Sequence, residues 1–388
     1  MKQVSFLSGT RADYGKIKPY IAYLSHQKGI QVHIFMTGMQ MQEKYGNSYR
    51  EIEQEFGLTC HLLKDFVDDT QDTVKQNAHI LSAYDDHLKQ DKIDFVFVHG
   101  DRPEMLSASM AAVLNNIPVC HIEAGDFSGS IDESLRHAIS KLSHRFFVAD
   151  KRSKLTLMQM GEHNEDIYIV GNPSLANDIK ASPVSIDLPF NKYGILIYHP
   201  TTTLSADKIQ SEIANVMKEL ENTRHCFVVI MPNNDLNHKV IETVYDNYRD
   251  NPNFVFFKSL PYDDFRHLLE GAEVLVGNSS CGVKEAPYLG VPVIDIGMRQ
   301  NNRYNHLKLP AFVHLDAPDE LGKILFAFPK GKRISLVKYR QKFLKRLDNI
   351  FSDDFWRPVL QKKFQVRQCF SEDKKKKPLK NKKKNSKK

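Results

Sequence analysis

Short runs of apolar residues, many of them β-branched or aromatic, alternate with longer amphipathic stretches along most of the chain. The runs are continuous rather than alternately apolar and polar, which is typical of strands in a parallel sheet covered by helices on both faces. In the first half, the predicted strands are Val4–Leu7, Val32–Met36, Phe95–His99, Val119–Glu123, Phe146–Ala149 and Ile167–Val170. The predicted helices between them are Lys16–Gln27, Tyr45–Glu55, Thr73–Gln90, Glu104–Asn115, Glu133–Leu142 and Ser153–Met160.

The same alternation starts again after Gly171. Here the predicted strands are Ile195–Tyr198, Phe227–Met231, Phe254–Phe257, Val274–Val276 and Val293–Ile296. The predicted helices are Ser205–Glu221, His238–Tyr248, Asp263–Leu269, Val283–Leu289, Leu336–Leu347 and Phe355–Phe364. The pattern therefore predicts an α/β protein with two Rossmann-like, doubly wound parallel-sheet domains that face a central cleft.

The domain boundaries follow from the restart of the pattern. We expect residues 1–173 to form an N-terminal domain and residues 174–353 a second one, with a C-terminal helix at 354–370 returning to the first. The Pro- and Ser-containing stretch 181–189 is expected to connect the two. Because such folds bind ligands beyond the carboxyl ends of their strands, the cleft between the domains is the expected site.

The overall composition is ordinary, but the positions of the charged residues along the chain are informative. The 388 residues are 41% hydrophobic and 26% charged, as in an ordinary soluble globular protein, and no stretch is long and apolar enough to predict a membrane span. Residues 374–388 contain ten lysines and no acid, so without them the formal net charge of +7 becomes −3. We expect residues 371–388 to form a disordered tail, with weak attraction to anionic membrane or RNA as the alternative.

Cysteine usage indicates a reduced compartment. The five cysteines are widely spaced and form no CxxC pair, so they are interpreted as structural thiols of a cytoplasmic protein; they are Cys60, Cys120, Cys226, Cys281 and Cys369.

Polar residues cluster where the predicted strands of the first half end. The first strand runs into a glycine-bearing turn that carries Arg11, which could bind an anion or could simply connect strand and helix. Asp101 and Arg102 follow the third strand, Glu123 ends the next, and Asp132 opens a helix. Asp101 and Asp132 can also be explained as a turn residue and a helix cap. Glu123 is harder to explain structurally, because an unpaired carboxylate at a buried strand end is costly.

The strand ends of the second half carry residues suited to a phosphate. His199 and Asn233 follow two of the strands, and the sequence Gly-Asn-Ser-Ser-Cys-Gly after a third places Ser279 and Ser280 before a predicted helix. Hydroxyl and backbone N–H groups at that point could hold phosphate oxygens, although a plain serine cap is the simpler explanation. Glu285 could accept hydrogen bonds from a ribose diol, and Arg299 could make a charge-assisted contact.

Read in order, these segments resemble the UDP-N-acetylglucosamine 2-epimerase superfamily, and within it the hydrolysing branch of the sialic-acid pathway. The resemblance spans residues 1–370 and rests on the motifs GTRADYG, HGDR, HIEAGD with IDESLRHAISKLSH, YHPTTT, MPNND, and GNSSCGVKEAP with GMRQ. The TRADYG and NSSCG forms resemble the hydrolysing branch more than the nonhydrolysing one. Gly15 stands where a related bifunctional enzyme has a serine near the nucleotide.

The resemblance implies a GT-B arrangement, with UDP held mainly by the second domain. It implies catalytic residues Asp101, Glu123, Asp132 and His199, and UDP contacts from Arg11, Arg102, His199, Asn233, Ser279, Ser280, Glu285 and Arg299. The implied reaction gives N-acetylmannosamine and UDP, needs neither NAD nor a metal, and belongs to a homo-oligomeric enzyme. Crowding of carboxylates in a closed cleft is expected to raise some of their pKa values.

Three other functions stay open on the sequence. One is a hydrolysing epimerase acting on UDP-2,4-diacetamido-trideoxyhexose in the legionaminic acid pathway. Another is an inverting GT-B glycosyltransferase, which would not explain three acids in the first domain. The third is a non-enzymatic protein that binds a nucleotide sugar or RNA through the lysine tail.

Overall fold

Two parallel β-sheets, one in each half of the chain, organise the protein. The computed structural model describes residues 1–43, 49–53, 58–63, 73–128, 131–173, 186–223, 225–233, 235–301, 311–327 and 348–361. Within these ranges every strand pairing is parallel, as the continuous apolar runs predict. No helix among the described residues is long and apolar enough to cross a membrane.

The first sheet is formed by β1 (Lys2–Ser8), β2 (Ile30–Met36), β3 (Thr59–Leu62), β4 (Phe95–His99), β5 (Val119–Ile122), β6 (Arg145–Val148) and β7 (Ile167–Ile169). Its helices are α1 (Arg11–Ser25), α2 (Tyr49–Glu53), α3 (Thr73–Gln90), α4 (Pro103–Leu114), α5 (Ile131–Leu142) and α6 (Lys151–Gln159). The strand order is β3-β2-β1-β4-β5-β6-β7, so the chain reverses its winding direction between β1 and β4. Ligands of doubly wound folds bind beside such a reversal.

The second sheet is formed by β8 (Gly194–Ile197), β9 (Phe227–Ile230), β10 (Phe254–Phe257), β11 (Val274–Gly277), β12 (Val293–Ile296) and β13 (Phe312–Leu315). Its helices are α7 (Ala206–Thr223), α8 (His238–Asp246), α9 (Tyr262–Gly271), α10 (Cys281–Lys284) and α11 (Leu321–Ala327). The order β10-β9-β8-β11-β12-β13 reverses between β8 and β11. Both reversals carry the polar strand ends that the sequence singles out.

The last described helix, α12 (Asp353–Gln361), packs into the core of the first lobe. Its Trp356 is buried, with ring centroids 6.0 Å from Tyr20 and 5.8 Å from Phe147. The indole Nε1–H donates to the carbonyl of Ile350 at 2.7 Å, so burial of the ring leaves its polar atom bonded.

All eleven predicted strands are confirmed, with ends that differ by at most two residues. Two strands were missed, β3 and β13, and both lie at a sheet edge. None of the β3 residues is fully buried, and only Leu315 is buried in β13, so neither has the continuous apolar run that identifies a central strand.

Two helix predictions need correction. Helix α1 begins at Arg11 rather than Lys16, because Thr10 caps it: the Thr10 hydroxyl accepts from the backbone N–H of Asp13 at 3.1 Å. The predicted helix Val283–Leu289 is instead a single α-turn, α10, followed by a 3₁₀ turn at Ala286–Leu289.

Several predictions fall wholly or partly outside the described residues. These are the helix Leu336–Leu347, the ends of Tyr45–Glu55 and Phe355–Phe364, most of the connecting stretch, and the tail. The four described cysteines, Cys60, Cys120, Cys226 and Cys281, are free thiols, and Cys369 lies outside the described part.

Candidate active site

A cavity of about 310 Å³ lies between the C-terminal ends of the strands of the two sheets. It is lined from both lobes by the residues that the sequence singles out: Asp101, Arg102, Glu123, Asp132, His199, Asn233, Ser279, Ser280, Glu285 and Arg299. The remaining predicted site residue, Arg11, begins α1, and its side chain lies outside the described part of the structure. The expected convergence of acids and phosphate-binding groups on one cleft is therefore found for the described side chains.

Glu123 is the most strongly held carboxylate of the cavity. It comes directly after β5 and has a φ of 59°, a left-handed conformation that is uncommon for a residue with a Cβ. Its side chain is 8% exposed and meets Nζ of Lys16 at 3.0 Å and Nζ of Lys284 at 2.5 Å. These two ion pairs offset the free-energy cost of burying the Glu123 carboxylate.

The charges around Glu123 set its ionisation. Burial opposes the charged form, but Lys16 and Lys284 outweigh it and lower the pKa of Glu123 well below its ordinary value of 4.5. The expectation that crowding raises carboxylate pKa values is therefore wrong for Glu123, because the group is surrounded by cations rather than by other acids.

A histidine missed by the sequence analysis lies behind Glu123. His99 Nδ1 is 3.1 Å from Oδ1 of Asp13, and its Nε2 is 3.4 Å from Oε2 of Glu123. Burial opposes protonation of His99, but hydrogen bonds to the two carboxylates raise its pKa above 6.5. The pKa of Asp13 is lowered despite burial, because His99 bonds to it. The three side chains form a buried acid–imidazole–acid row.

Asp101 is fixed by a buried arginine, Arg136 of α5. Arg136 is 1% exposed, forms an ion pair with the Asp101 carboxylate, and donates from Nη1 to the carbonyl oxygen of Asp126 at 3.0 Å. Asp132 lies in the first turn of the same helix and is partly exposed at the cavity. Helix α5 thus contributes the Asp132 carboxylate to the cavity and, through Arg136, holds the Asp101 carboxylate in place.

The second lobe arranges a polar group around His199, two residues after the end of β8. The backbone N–H of His199 donates to Oδ1 of Asn278 at 2.7 Å, and Nη1 of Arg299 donates to the carbonyl oxygen of Asn278 at 3.2 Å. The backbone N–H of Asn233 donates to His199 Nδ1 at 3.2 Å, so the ring proton belongs on Nε2. Burial, together with Arg299, lowers the pKa of His199 well below 6.5, and the ring is therefore a neutral N–H donor.

The serine turn begins where β11 passes very close to β8. Gly277 has a φ of 129°, and a Cβ at this position would overlap the carbonyl of Ile197, so only glycine fits. Ser279 and Ser280 follow and line the cavity. Helix α10 has only four residues, so it has no extended helix dipole. This turn can therefore bind an anion through its hydroxyl and backbone N–H groups.

Ion pairs join the two lobes across the cavity. Lys16 of α1 reaches Glu285 at 3.3 Å, and Lys284 of α10 reaches Asp126 at 3.0 Å in addition to Glu123. Asp13, Lys16, His99, Arg136 and Lys284 were all missed. Asp13 and Lys284 lie within the quoted motifs GTRADYG and GNSSCGVKEAP, but only the folded chain shows that Asp13 pairs with His99 and Lys284 with Glu123.

Comparison with known proteins gives a consistent family match. The UDP-N-acetylglucosamine 2-epimerase family profile matches residues 22–312. The chain is 38% identical over 315 residues to the UDP-N-acetylglucosamine 2-epimerase of Neisseria meningitidis serogroup B, covering 78% of this chain and 82% of that protein. It is 34% identical over 313 residues to the hydrolysing UDP-N,N'-diacetylbacillosamine 2-epimerase of Legionella pneumophila, covering 78% and 83%.

A solved structure supports the fold. The crystal structure of Methanocaldococcus jannaschii UDP-GlcNAc 2-epimerase in complex with UDP-GlcNAc and UDP superimposes with a TM-score of 0.72 at 21% identity, covering 86% of this chain and 94% of that one. The predicted fold class, two doubly wound parallel-sheet lobes in a GT-B arrangement, is confirmed.

Proposed function

The chain belongs to the UDP-N-acetylglucosamine 2-epimerase family, and from that premise we propose that it is a hydrolysing 2-epimerase that converts UDP-N-acetylglucosamine and water into N-acetylmannosamine and UDP. The observation that carries the proposal is that Asp101, Glu123 and Asp132 line the same cavity as the serine turn and His199. N-acetylmannosamine would then supply sialic acid or another capsule or glycan precursor, as the sequence resemblance implies.

The proposed reaction begins at the bond between C1 and the diphosphate. C2–H is not adjacent to a carbonyl, so it becomes acidic only as the C1–O bond breaks and C1 gains oxocarbenium character. Loss of the C2 proton then forms a C1=C2 double bond, which gives 2-acetamidoglucal and UDP. Water next adds syn, with hydroxyl at C1 and a proton at C2 on the face opposite to the one that lost it, and N-acetylmannosamine results.

The carboxylates differ enough to take different roles. We assign removal of the C2 proton to Glu123, since it is held ionised and a weak base is sufficient once C2–H is acidified. His99, whose Nε2 is 3.4 Å from Oε2 of Glu123 and whose pKa the carboxylates raise, is placed to respond to the changing charge of that carboxylate. We assign activation of water and return of the proton to Asp132, which is partly exposed, and orientation of the sugar to Asp101, which Arg136 fixes.

The departing diphosphate gathers negative charge, and the second lobe offers groups that stabilise it. Neutral His199 can donate its Nε2–H, while Ser279 and Ser280 provide hydroxyl groups and Arg299 provides a positive charge. Arg11 and Arg102 are proposed to add charge from the first lobe, and Asn233 and Glu285 to contact the nucleotide.

A second candidate substrate is a UDP-2,4-diacetamido-trideoxyhexose. The observation that favours it is the 34% identity to the diacetylbacillosamine 2-epimerase of Legionella pneumophila, close to the 38% identity to the Neisseria enzyme. Both substrates would use the same elimination and hydration. A GT-B glycosyltransferase or a non-enzymatic binding protein has no comparable support, because neither needs three carboxylates facing the nucleotide half.

An NMR time course in D₂O tests the proposal directly. We expect the full chain to convert UDP-N-acetylglucosamine into free N-acetylmannosamine that carries deuterium at C2, together with UDP. An equilibrium that contains UDP-N-acetylmannosamine would instead assign the nonhydrolysing reaction. No turnover of this sugar, with turnover of the diacetamido sugar, would select the second candidate.

Glu123→Gln separates catalysis from binding. We expect it to reduce turnover by about 10²-fold or more, with UDP affinity by calorimetry changed little. A cytoplasmic location, a homo-oligomeric state and catalysis without a cofactor stay predictions of the sequence resemblance.

A further inference from the structure

A second group of chemically active side chains lies in the first lobe, away from the cavity. It consists of His33 on β2, His61 on β3, His87 near the end of α3, and Asp91 just after that helix. Asp91 precedes the start of β4, whereas His99 ends the same strand at the active site. The group therefore lies toward the opposite end of the strands, and none of its members lines the cavity.

One ligand atom each of His33, His61 and Asp91 lies within 4.8 Å of the other two, and His87 lies next to Asp91. His33 Nδ1 is 3.0 Å from His61 Nε2, His61 Nε2 is 3.7 Å from Asp91 Oδ2, and His87 Nδ1 is 3.5 Å from the same carboxylate oxygen. A tetrahedral metal ion with bonds of about 2.0–2.1 Å separates its ligand atoms by roughly 3.3 Å. The three observed separations bracket that value.

The hydrogen bonds around the group leave lone pairs directed inward. His33 Nε2 lies 2.7 Å from Oε1 of Gln3 and donates its proton there, which leaves Nδ1 unprotonated on the side of His61. A carbonyl that accepts from the second ring nitrogen is the usual support of a metal-bound histidine.

Two members of the group lack hydrogen bonds. His87 Nδ1 and Asp91 Oδ2 are buried, and neither forms a hydrogen bond with a residue in the described part of the chain. Buried polar atoms without partners are costly, and a bound cation would satisfy the Asp91 oxygen. The His61 ring is also held in place, because it stacks on Phe35 with centroids 4.3 Å apart.

We propose that His33, His61 and Asp91 form a structural binding site for one divalent transition-metal ion, with zinc as the best match to two imidazoles and one carboxylate and with a fourth position open on the side of His87. On binding, His61 carries its proton on Nδ1 instead of Nε2, and the ion takes the place of the hydrogen bond between His33 and His61. The site is independent of the proposed reaction.

The consequence would be a link between an edge strand and a helix. Among the described strands, β3 lies at the end of the first sheet and pairs only with β2. An ion held by His61 and Asp91 would join β3 to the end of α3, which is otherwise connected to it through side-chain packing. Because the ion binds the folded state, it would raise the unfolding temperature, and the increase would grow with the free metal concentration.

Cobalt titration of the untagged full chain, first freed of metal by a chelator, tests the site. We expect one Co²⁺ per chain with the intense visible absorption of tetrahedral cobalt, its loss when one equivalent of Zn²⁺ is added, and an unfolding temperature several degrees higher with Zn²⁺. His61→Gln and Asp91→Asn should each weaken cobalt binding at least tenfold. His163→Ala, which removes an exposed histidine of the same lobe, should leave it unchanged.

Circular dichroism of each variant establishes that it is folded. If His61→Gln does not fold, Asp91→Asn is the deciding variant. Asp91 lies outside the sheet and its side chain is 19% exposed, so its replacement should disturb the fold less. Absence of a tetrahedral cobalt spectrum in the wild-type chain would overturn the proposal. The proposal would also be overturned if Asp91→Asn kept the full cobalt spectrum and stoichiometry of the wild-type chain.

Discussion

The Nζ atom of Lys284 lies 2.5 Å from Oε2 of Glu123, so a cation of the second lobe and a carboxylate of the first lobe meet across the cavity. Lys16 approaches the other oxygen of the same carboxylate at 3.0 Å. The charge state of Glu123 therefore depends on both lobes, because burial alone would favour the neutral acid.

Replacing Lys284 with Met removes one of these charges and keeps most of the side-chain length. We expect the pKa of Glu123 to rise from its lowered value, since burial then meets less opposition. If Glu123 must be ionised for turnover, the acidic limb of the kcat/KM profile moves to higher pH, and kcat/KM at neutral pH falls by about 10²-fold. The measurement is a pH–rate profile on UDP-N-acetylglucosamine.

Lys18→Met is the matched control for this variant. Lys18 also bridges the lobes, but it pairs with Asp263 at 3.2 Å rather than with Glu123. We expect this variant to keep the acidic limb where the wild type has it. An acidic limb that stays in place in Lys284→Met would show that Lys284 does not control the Glu123 carboxylate.

Arg136 is expected to position Asp101, and its loss should affect catalysis beyond stability. Breaking a buried ion pair on one side costs about 3–5 kcal/mol of unfolding free energy. For Arg136→Met we expect that loss together with a decrease in kcat of at least tenfold, with KM changed little, because Asp101 is no longer fixed. Steady-state kinetics on the folded fraction and urea unfolding measure the two effects.

Arg145→Met separates the two effects. Arg145 is buried in the same lobe and pairs with Asp166 at 2.9 Å, and neither residue lines the cavity. It should lose similar stability and keep kcat. Equal kcat values in Arg136→Met and wild type would assign Arg136 a purely structural role.

Much of the fold could be predicted because central strands are buried on both faces. Their continuous apolar runs identify β4 and β5, and polar residues directly after such runs, such as Asp101 and Glu123, must gather at one edge of a parallel sheet. The strands β3 and β13 lack that pattern, because Leu315 is the only buried residue in the two of them.

The partners of the carboxylates could not be predicted in the same way. Lys16 lies on α1, Lys284 on α10 and Arg136 on α5, so their contacts with the acids depend on how helices from distant parts of the chain pack. His99 was available as part of the HGDR motif. The motif alone gives His99 no role, and only its distances to Asp13 and Glu123 show that it lies between two carboxylates.

His99 should make a pH-dependent contribution to stability. Its pKa in the folded protein is raised above 6.5 by the two carboxylates. A raised pKa stabilises the folded state below the unfolded-state pKa, and the contribution is lost as the pH rises through the folded-state pKa. We therefore expect His99→Asn to destabilise the protein more at pH about 6 than at pH about 9. Urea unfolding at both pH values measures this difference.

The control is His163→Asn, on the surface of the same lobe, which should show little destabilisation at either pH. A destabilisation by His99→Asn that is equal at both pH values, or larger at high pH, would mean that the folded protein holds His99 in its neutral form.

Gly15 of α1 is expected to be necessary for the approach of the two lobes. A Cβ at this position would overlap the ring of Tyr262, which begins α9 in the second lobe and lines the cavity. Because an aromatic ring cannot move aside as a flexible chain end does, Gly15→Ala should push α9 away from α1 and lower kcat/KM by at least tenfold. The same substitution in a Tyr262→Ala background should cost little further activity, since the obstructing ring is gone. A full double-mutant cycle in kcat/KM measures the coupling, and additive effects of the two substitutions would contradict the contact.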